Sequence, residues 1–186
     1  MGDLIFQDQQ GAILEKWREL ILNTYPHDTA AFLHREKDRF ANPVGHVLTR
    51  GTARLLEALL SGEPPSNENV RRALDEIIKI RAVQDFPASR AVEFIFSLKD
   101  IVRGLLVNQA PDAGQLRDFD RRVDRLGLAA FDIYTQNRQK IFDIRVNEIK
   151  NRSIKLLERT NLMFAESGTQ TDSPNSGTDT RGPKGG

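Results

Sequence analysis

The chain of 186 residues has no cysteine, one tryptophan and almost no net charge, with 27 Lys and Arg against 26 Asp and Glu. Without cysteine there is no disulfide framework, no thiolate metal site and no cysteine nucleophile. That composition suits a reducing compartment, and a cytoplasmic location is expected. Balanced charge leaves no excess cation to neutralise a phosphate backbone or an anionic bilayer, so neither nucleic acid nor a membrane is an expected partner. Met1 to Asp8 lacks a basic segment followed by an apolar run, and no stretch approaches ~18 consecutive apolar residues, so neither a secretory leader nor a membrane span is expected. Strand-like alternation and internal repeats are missing as well. The length suits one domain with appendages, since a single core usually takes roughly 100–200 residues.

What is present is helical periodicity. Ile13, Leu14, Trp17, Leu20 and Ile21 recur at spacings of three and four, which predicts a first helix over about 8–23. Pro26 ends it, and Asp28 or Thr29 can cap a short second helix carrying Phe32, Leu33 and Phe40. Asn42-Pro43 marks the next boundary, because proline suits a first helical turn and the residue before it avoids helix. A third helix is predicted over about 43–60, with Val44, Val47, Leu48, Leu55 and Leu59 inward and Gly45 and Gly51 allowing close helix contact. The run Ser61 to Asn67 reads as a loop with a stop and a fresh cap. A fourth helix over about 68–85 and a fifth from Pro87 to about 108 follow. The fifth is apolar on most of its circumference, which places it centrally, with only Glu93, Ser97 and Asp100 as a polar strip.

From about 114 to 165 the pattern reads as one helix of ~75 Å. Leu126, Ala130, Ile133, Ile141 and Ile144 form a core stripe in its first half. In the second half Phe142, Val146, Ile149, Ser153, Leu156, Thr160 and Met163 step by four and three, the spacing of a coiled-coil seam. Residues 167–186 are Ser, Thr, Gly, Pro and Asp without a large apolar side chain, the composition of a disordered tail. The expected organisation is therefore all-α. It comprises a bundle of about six helices over 1–136, an extension of the last helix over 137–166, and a tail over 167–186.

Chemistry is sparse. His27 and His34 lie seven positions apart, ~10 Å along a helix, too far to share one metal ion. His46 falls on the side of its helix away from Val44, Val47 and Leu48. A globin-type haem lacks its usual histidine anchor, leaving only Tyr25 or Tyr134. The carboxylates interleave with arginines, as in Arg117 to Arg125, in the manner of an ion-paired helix face. No phosphate-cradling loop or Gly-x-Ser-x-Gly elbow occurs. No catalytic residue, metal ligand or cofactor is expected, and the chain reads as non-enzymatic.

One stretch breaks the pattern. The stripe Val70, Leu74, Ile77, Ile78 continues onto Arg81 and Asp85, so both charges are expected to point at the core. A charge there must be paired or face a cavity. Either Arg81 pairs with Asp85, Glu93 or Asp100 and fixes the packing, or Arg81, Gln84, Asp85 and Ser89 line a polar pocket for an anionic ligand.

The strings Phe40-Ala41-Asn42-Pro43-Val44-Gly45, Arg81-Ala82-Val83-Gln84-Asp85-Phe86-Pro87-Ala88-Ser89-Arg90-Ala91-Val92, Ala130-Phe131-Asp132-Ile133-Tyr134 and Ile144-Arg145-Val146-Asn147-Glu148-Ile149-Lys150 resemble the N-terminal domain of RsbT co-antagonist proteins of the RsbR/RsbRD type. The likeness covers about residues 13–159. It implies a bacterial, haem-free, globin-like sensor domain that dimerises and feeds a helical linker. In full-length members of the family the linker leads to a STAS domain within a stressosome, which controls a kinase in a sigma-factor pathway. Here no STAS-like segment follows Arg159, so a stand-alone version is expected.

The combined expectation is a homodimeric signalling module acting through a regulatory partner protein. Phe142, Val146, Ile149, Leu156 and Met163 are the expected interface. The alternatives are a small-ligand or haem-binding sensor, or an assembly scaffold for a redox complex.

Overall fold

The computed structural model describes residues 3–36, 38–107, 109 and 112–168, with side chains described from Phe6 to Thr160 within those ranges. The described residues form eight helices and no strand, so the all-α expectation holds. By compactness the chain divides into two units, Met1–Ile141 and Phe142–Gly186.

The chain opens with α1 (Asp3–Asp8) and α2 (Gln10–Leu22), separated only by Gln9. The helical start therefore lies earlier than the periodicity predicts. Phe6 supplies the reason: it is buried and stacks on Phe119 with ring centroids 5.6 Å apart. Ile13, Trp17 and Ile21 are the buried face of α2, as their spacing requires. Trp17 lies at the centre, donating its indole N–H to the Phe94 carbonyl at 2.6 Å and stacking on the Phe94 ring. A buried indole needs such a partner for its polar end.

The short α3 (His27–Arg35) and the longer α4 (Pro43–Ser61) are joined through Asn42. Asn42 is buried and spends its whole side chain on the backbone. Its Nδ2 donates to the carbonyls of Leu33 at 3.0 Å and Glu36 at 2.9 Å, and its Oδ1 accepts from Gly45 N at 2.7 Å. One residue thus closes α3 and caps α4, with Pro43 in the first turn where its missing N–H costs nothing. A Cβ on Gly45 would collide with that same side chain. Gly51 serves the packing of α4 on α5 (Glu68–Val83), since a Cβ there would meet Ile77 Cδ1 at 2.7 Å. The anticipated stop appears at Gly62, with Asn67 capping α5.

The predicted fifth helix is divided at Ser97 into α6 (Ala88–Phe96) and α7 (Leu98–Leu106). The backbone ladder runs on through the division, from Ser97 N to Glu93 O and from Ile101 N to Ser97 O, both at 3.1 Å. The Ser97 hydroxyl also bonds back to the Glu93 carbonyl, a competition that bends helices. Ala91, Val92, Phe94, Ile95, Leu98, Val102 and Leu106 are buried, which confirms the central position read from the sequence.

The last element is α8 (Ala113–Gly168), one helix of 56 residues. Up to Ile141 it completes the core with Phe119, Val123, Leu126, Ala130 and Ile133. Cross-element bonds fix its register: Arg122 to the carbonyl of Leu59 at 2.9 Å, Lys99 to Asp124 at 2.6 Å, and Asn137 to Asp75 at 3.1 Å. Ile144, expected on the core stripe, is instead 59% exposed, because the first compact unit ends three residues before it. Residues 169–186, which hold almost all of the expected disordered tail, lie outside the described residues. No helix among the described residues is long and apolar enough to cross a membrane.

Replacing Asn42 by Ala removes a cap and strands two carbonyls. It is expected to lower stability by about 1–2 kcal/mol, read from the midpoint of urea unfolding at unchanged slope. Gly45→Ala is expected to be destabilising too, whereas a solvent-facing Gly11→Ala, with nothing within 4 Å of the new methyl, is not.

Candidate functional site

The helix α5 ends at Val83, two residues short of the predicted end, and this moves the charged residues apart. Asp85 adopts a left-handed backbone with φ of 58°, a conformation that Asp tolerates better than most residues. The chain reverses there, and Pro87 starts α6. Arg81, still on the helix, points inward and is completely enclosed. Gln84, Asp85 and Ser89 are exposed. The expectation that Asp85 would point at the core therefore fails, for the reason that it no longer lies on the helix.

None of the three anticipated carboxylates pairs with Arg81. Asp85 pairs with Arg138 on α8, Glu93 with Arg90 at 3.0 Å, and Asp100 with Arg103 at 3.7 Å. The guanidinium is instead surrounded by aromatic rings, its carbon 4.6 Å from the centroid of Phe86, 5.1 Å from Phe94 and 5.9 Å from Tyr25. Ring faces carry negative potential, and a desolvated cation over them gains about 2 kcal/mol or more. Nη2 donates to Thr24 Oγ1 at 3.0 Å and more distantly to the Arg90 carbonyl at 3.4 Å. Nε and Nη1 have no hydrogen-bond acceptor among the described residues. Burial lowers the Arg81 pKa, with the Tyr25 side chain and Glu93 acting in the opposite sense.

Tyr25 is the other polar group enclosed here. Its ring meets Phe86 edge to face at 5.7 Å. Its hydroxyl is near enough to Arg81 to feel the charge but lacks a bond of good geometry. Burial holds the phenol above its ordinary pKa, and the Arg81 charge opposes that rise.

The elbow between α5 and α6 is also held from outside. Tyr134 donates its hydroxyl to the Phe86 carbonyl at 2.5 Å. Arg138, one turn further along α8, donates to the Ala82 carbonyl at 3.1 Å and pairs with Asp85. That pair holds the Arg138 pKa above its ordinary value through the hydrogen bond to Asp85. Phe86 is thus gripped at its ring by Arg81 and Tyr25 and at its carbonyl by Tyr134.

Of the four residues expected around a ligand, the structure brings none of the other three to the Arg81 guanidinium. Sequence reasoning missed Thr24, Phe86, Phe94 and Arg138 here, and considered Tyr25 and Tyr134 only as stand-in haem anchors. Their separations in sequence carry no periodic signal, although Tyr134 and Phe86 both fall within strings that resemble the family.

Along the second compact unit, Phe142 is 60%, Ile149 64% and Leu156 62% exposed, and Val146 is half-buried. Met163 lies outside the residues whose side chains are described. Ile144, Ile154 and Leu157 are exposed as well, so the apolar surface is broader than the predicted seam. Of the histidines, His27 and His34 are exposed and His46 is half-buried. No group of His, Asp and Glu among the described residues is arranged to hold a metal ion.

Two outcomes test this geometry. Tyr134→Phe removes one bond from the elbow, and is expected to cost about 1 kcal/mol and to speed amide exchange at Gln84 to Phe86 relative to the rest of α5. The Tyr25 pKa is raised in the folded chain, so its contribution to stability is complete below the ordinary phenol value and is lost as pH rises through the raised one. Urea midpoints are expected to fall above about pH 10, and Tyr25→Phe to flatten that fall while leaving neutral-pH stability nearly unchanged.

Comparison with known proteins adds a family. A model of the RsbT co-antagonist protein rsbRD N-terminal domain matches residues 11–149. No curated protein matches the chain, and neither does any solved structure. The matched span begins at α2, takes in Asn42, the whole Arg81 elbow with its clamps Tyr134 and Arg138, and ends at Ile149, inside the second unit. The chain belongs to the RsbT co-antagonist protein rsbRD N-terminal domain family.

Proposed function

We propose that the chain is a non-enzymatic signalling module, cytoplasmic and homodimeric, that acts through contact with a regulatory partner protein. Membership of a family named for RsbT co-antagonists supports the regulatory part of this reading. The bundle over 1–136 is the input domain and the helix over 137–166 the pairing and output element. The observation that carries it is the exposed apolar stripe of Phe142, Ile149 and Leu156. Side chains of this size at seven-residue intervals stay in water only at a cost of about 25 cal/mol per Å², which a second copy of the helix removes.

Within the first unit the elbow is tied to α8. Arg138 and Tyr134 belong to the same helix as the stripe and hold the α5–α6 connection by its backbone. A shift of the elbow is therefore transmitted to α8 as a discrete change of hydrogen-bond partners, the manner in which packed helices switch.

Sedimentation of the full chain across concentrations tests the pairing. A dimer is expected at concentrations on the order of tens of micromolar, corresponding to an association free energy of about 6–7 kcal/mol. The combined substitution of Phe142, Ile149 and Leu156 by Glu is expected to give a folded monomer. A wild-type chain that stays monomeric throughout would overturn the proposal.

A further inference from the structure

A cavity in the first unit lies between α2, α3 and α4 and measures about 840 Å³. That is within the range of about 300–1,000 Å³ typical of small-molecule sites. Ile21, Leu33 and Leu48 line it as buried side chains, and Leu14, Leu22 and Ala30 as half-buried ones. These apolar side chains can take a hydrocarbon body, while polar residues, among them Asn23, His27 and His34, complete the wall.

One arginine enters this wall. Arg18 is half-buried, and burial lowers its pKa. An arginine with a glutamate one turn earlier on a helix commonly pairs with it. Arg18 has Glu15 in that position and Glu19 beside it, both exposed on the rim of the same cleft, yet it forms no ion pair among the described residues. It turns to α4 instead, with Nε donating to Thr52 Oγ1 at 3.2 Å and Nη2 to the Thr49 carbonyl at 2.6 Å. Thr52 in turn donates to the Leu48 carbonyl at 2.7 Å, which fixes its oxygen as the acceptor for Arg18. The guanidinium is therefore held rigidly by two neutral acceptors, its charge is unmatched, and Nη1 makes no bond to a described residue.

A positioned, partly desolvated guanidinium with a free donor selects a carboxylate, because charge-assisted bonds are about twice as strong as neutral ones. We infer that the cleft between α2, α3 and α4 binds a small monocarboxylate with an apolar body. The carboxylate lies on Arg18 Nη1, and the body lies against Leu14, Ile21, Leu33 and Leu48. The two rim glutamates oppose a second negative charge on the ligand and so favour a monoanion over a dicarboxylate. This goes beyond the signalling role proposed above and does not rest on pairing of α8.

Titration calorimetry of the full chain with decanoate and with decanol, both below their aggregation concentrations, tests it. Decanoate is expected to bind saturably and about tenfold or more tighter than decanol, the margin of one hydrogen bond to a charged group. Arg18→Met is expected to abolish that margin by weakening decanoate alone. Should this variant unfold, Ala31→Trp keeps the test open: Ala31 is exposed on α3 and lines the cleft, so the indole fills it without disturbing the core. That variant is expected to bind neither compound while keeping the wild-type unfolding midpoint. Equal affinity for the two compounds, wild-type decanoate binding by either variant, or no saturable binding to the wild type would each overturn the inference. Since calorimetry reads the ligand and sedimentation reads the pairing, failure of one leaves the other standing.

Discussion

A guanidinium enclosed away from water must be matched by something, and at Arg81 the match is made by aromatic faces instead of a carboxylate. Those rings come from three places: Tyr25 just beyond the end of α2, Phe86 from the elbow and Phe94 from α6. Each must be in position for the charge to be tolerated, so one side chain ties the placement of α2, α5 and α6 together. Removing a single ring leaves a desolvated cation with less to compensate it, a larger penalty than the lost contact alone. The left-handed turn at Asp85 follows from the same constraint, since it brings Phe86 back over the guanidinium and frees the carboxylate for Arg138.

That arrangement gives the elbow two sides. Inside, it is fixed by the buried arginine and its rings. Outside, it is held by the hydroxyl of the buried Tyr134 and by the exposed Arg138–Asp85 ion pair, of which the pair is the one that water can replace at small cost. A change in the bundle is therefore expressed more readily as a change in how the elbow meets α8 than as a rearrangement of the core. The proposed signalling role uses this asymmetry. The proposed carboxylate cleft between α2, α3 and α4 offers an entry point, because Ile21 lines the cleft and Thr24, the acceptor of the Arg81 bond, follows three residues later, just past the end of α2.

Helix α8 shows how one regular element serves two solvents. Over its first part, Phe119, Val123, Leu126, Ala130 and Ile133 are buried at spacings of three and four. Beyond Ile141 the apolar residues are as frequent, but Phe142, Ile144, Ile149, Leu156 and Leu157 are exposed. Nothing in helical propensity distinguishes the two parts. Only the extent of the other elements does.

From the sequence alone the helices could be placed because each signal was local. Pro43 and Asn42 mark a helix start, Gly62 a stop, and Ile13, Trp17 and Ile21 a buried face, and each of these depends only on neighbours within two turns. The same kind of reasoning showed that Arg81 lies on a buried stripe. It failed at Asp85, because extending a helical phase assumes that the helix continues, and a two-residue shortening reversed the direction of the side chain. It failed also at Ile144, whose phase is that of a core residue but which the core does not reach. What matches the charge of Arg81 was decided only in three dimensions. Tyr25 lies far in the chain from Phe86 and Phe94, and no periodicity records which rings will close over a cation once the helices have packed.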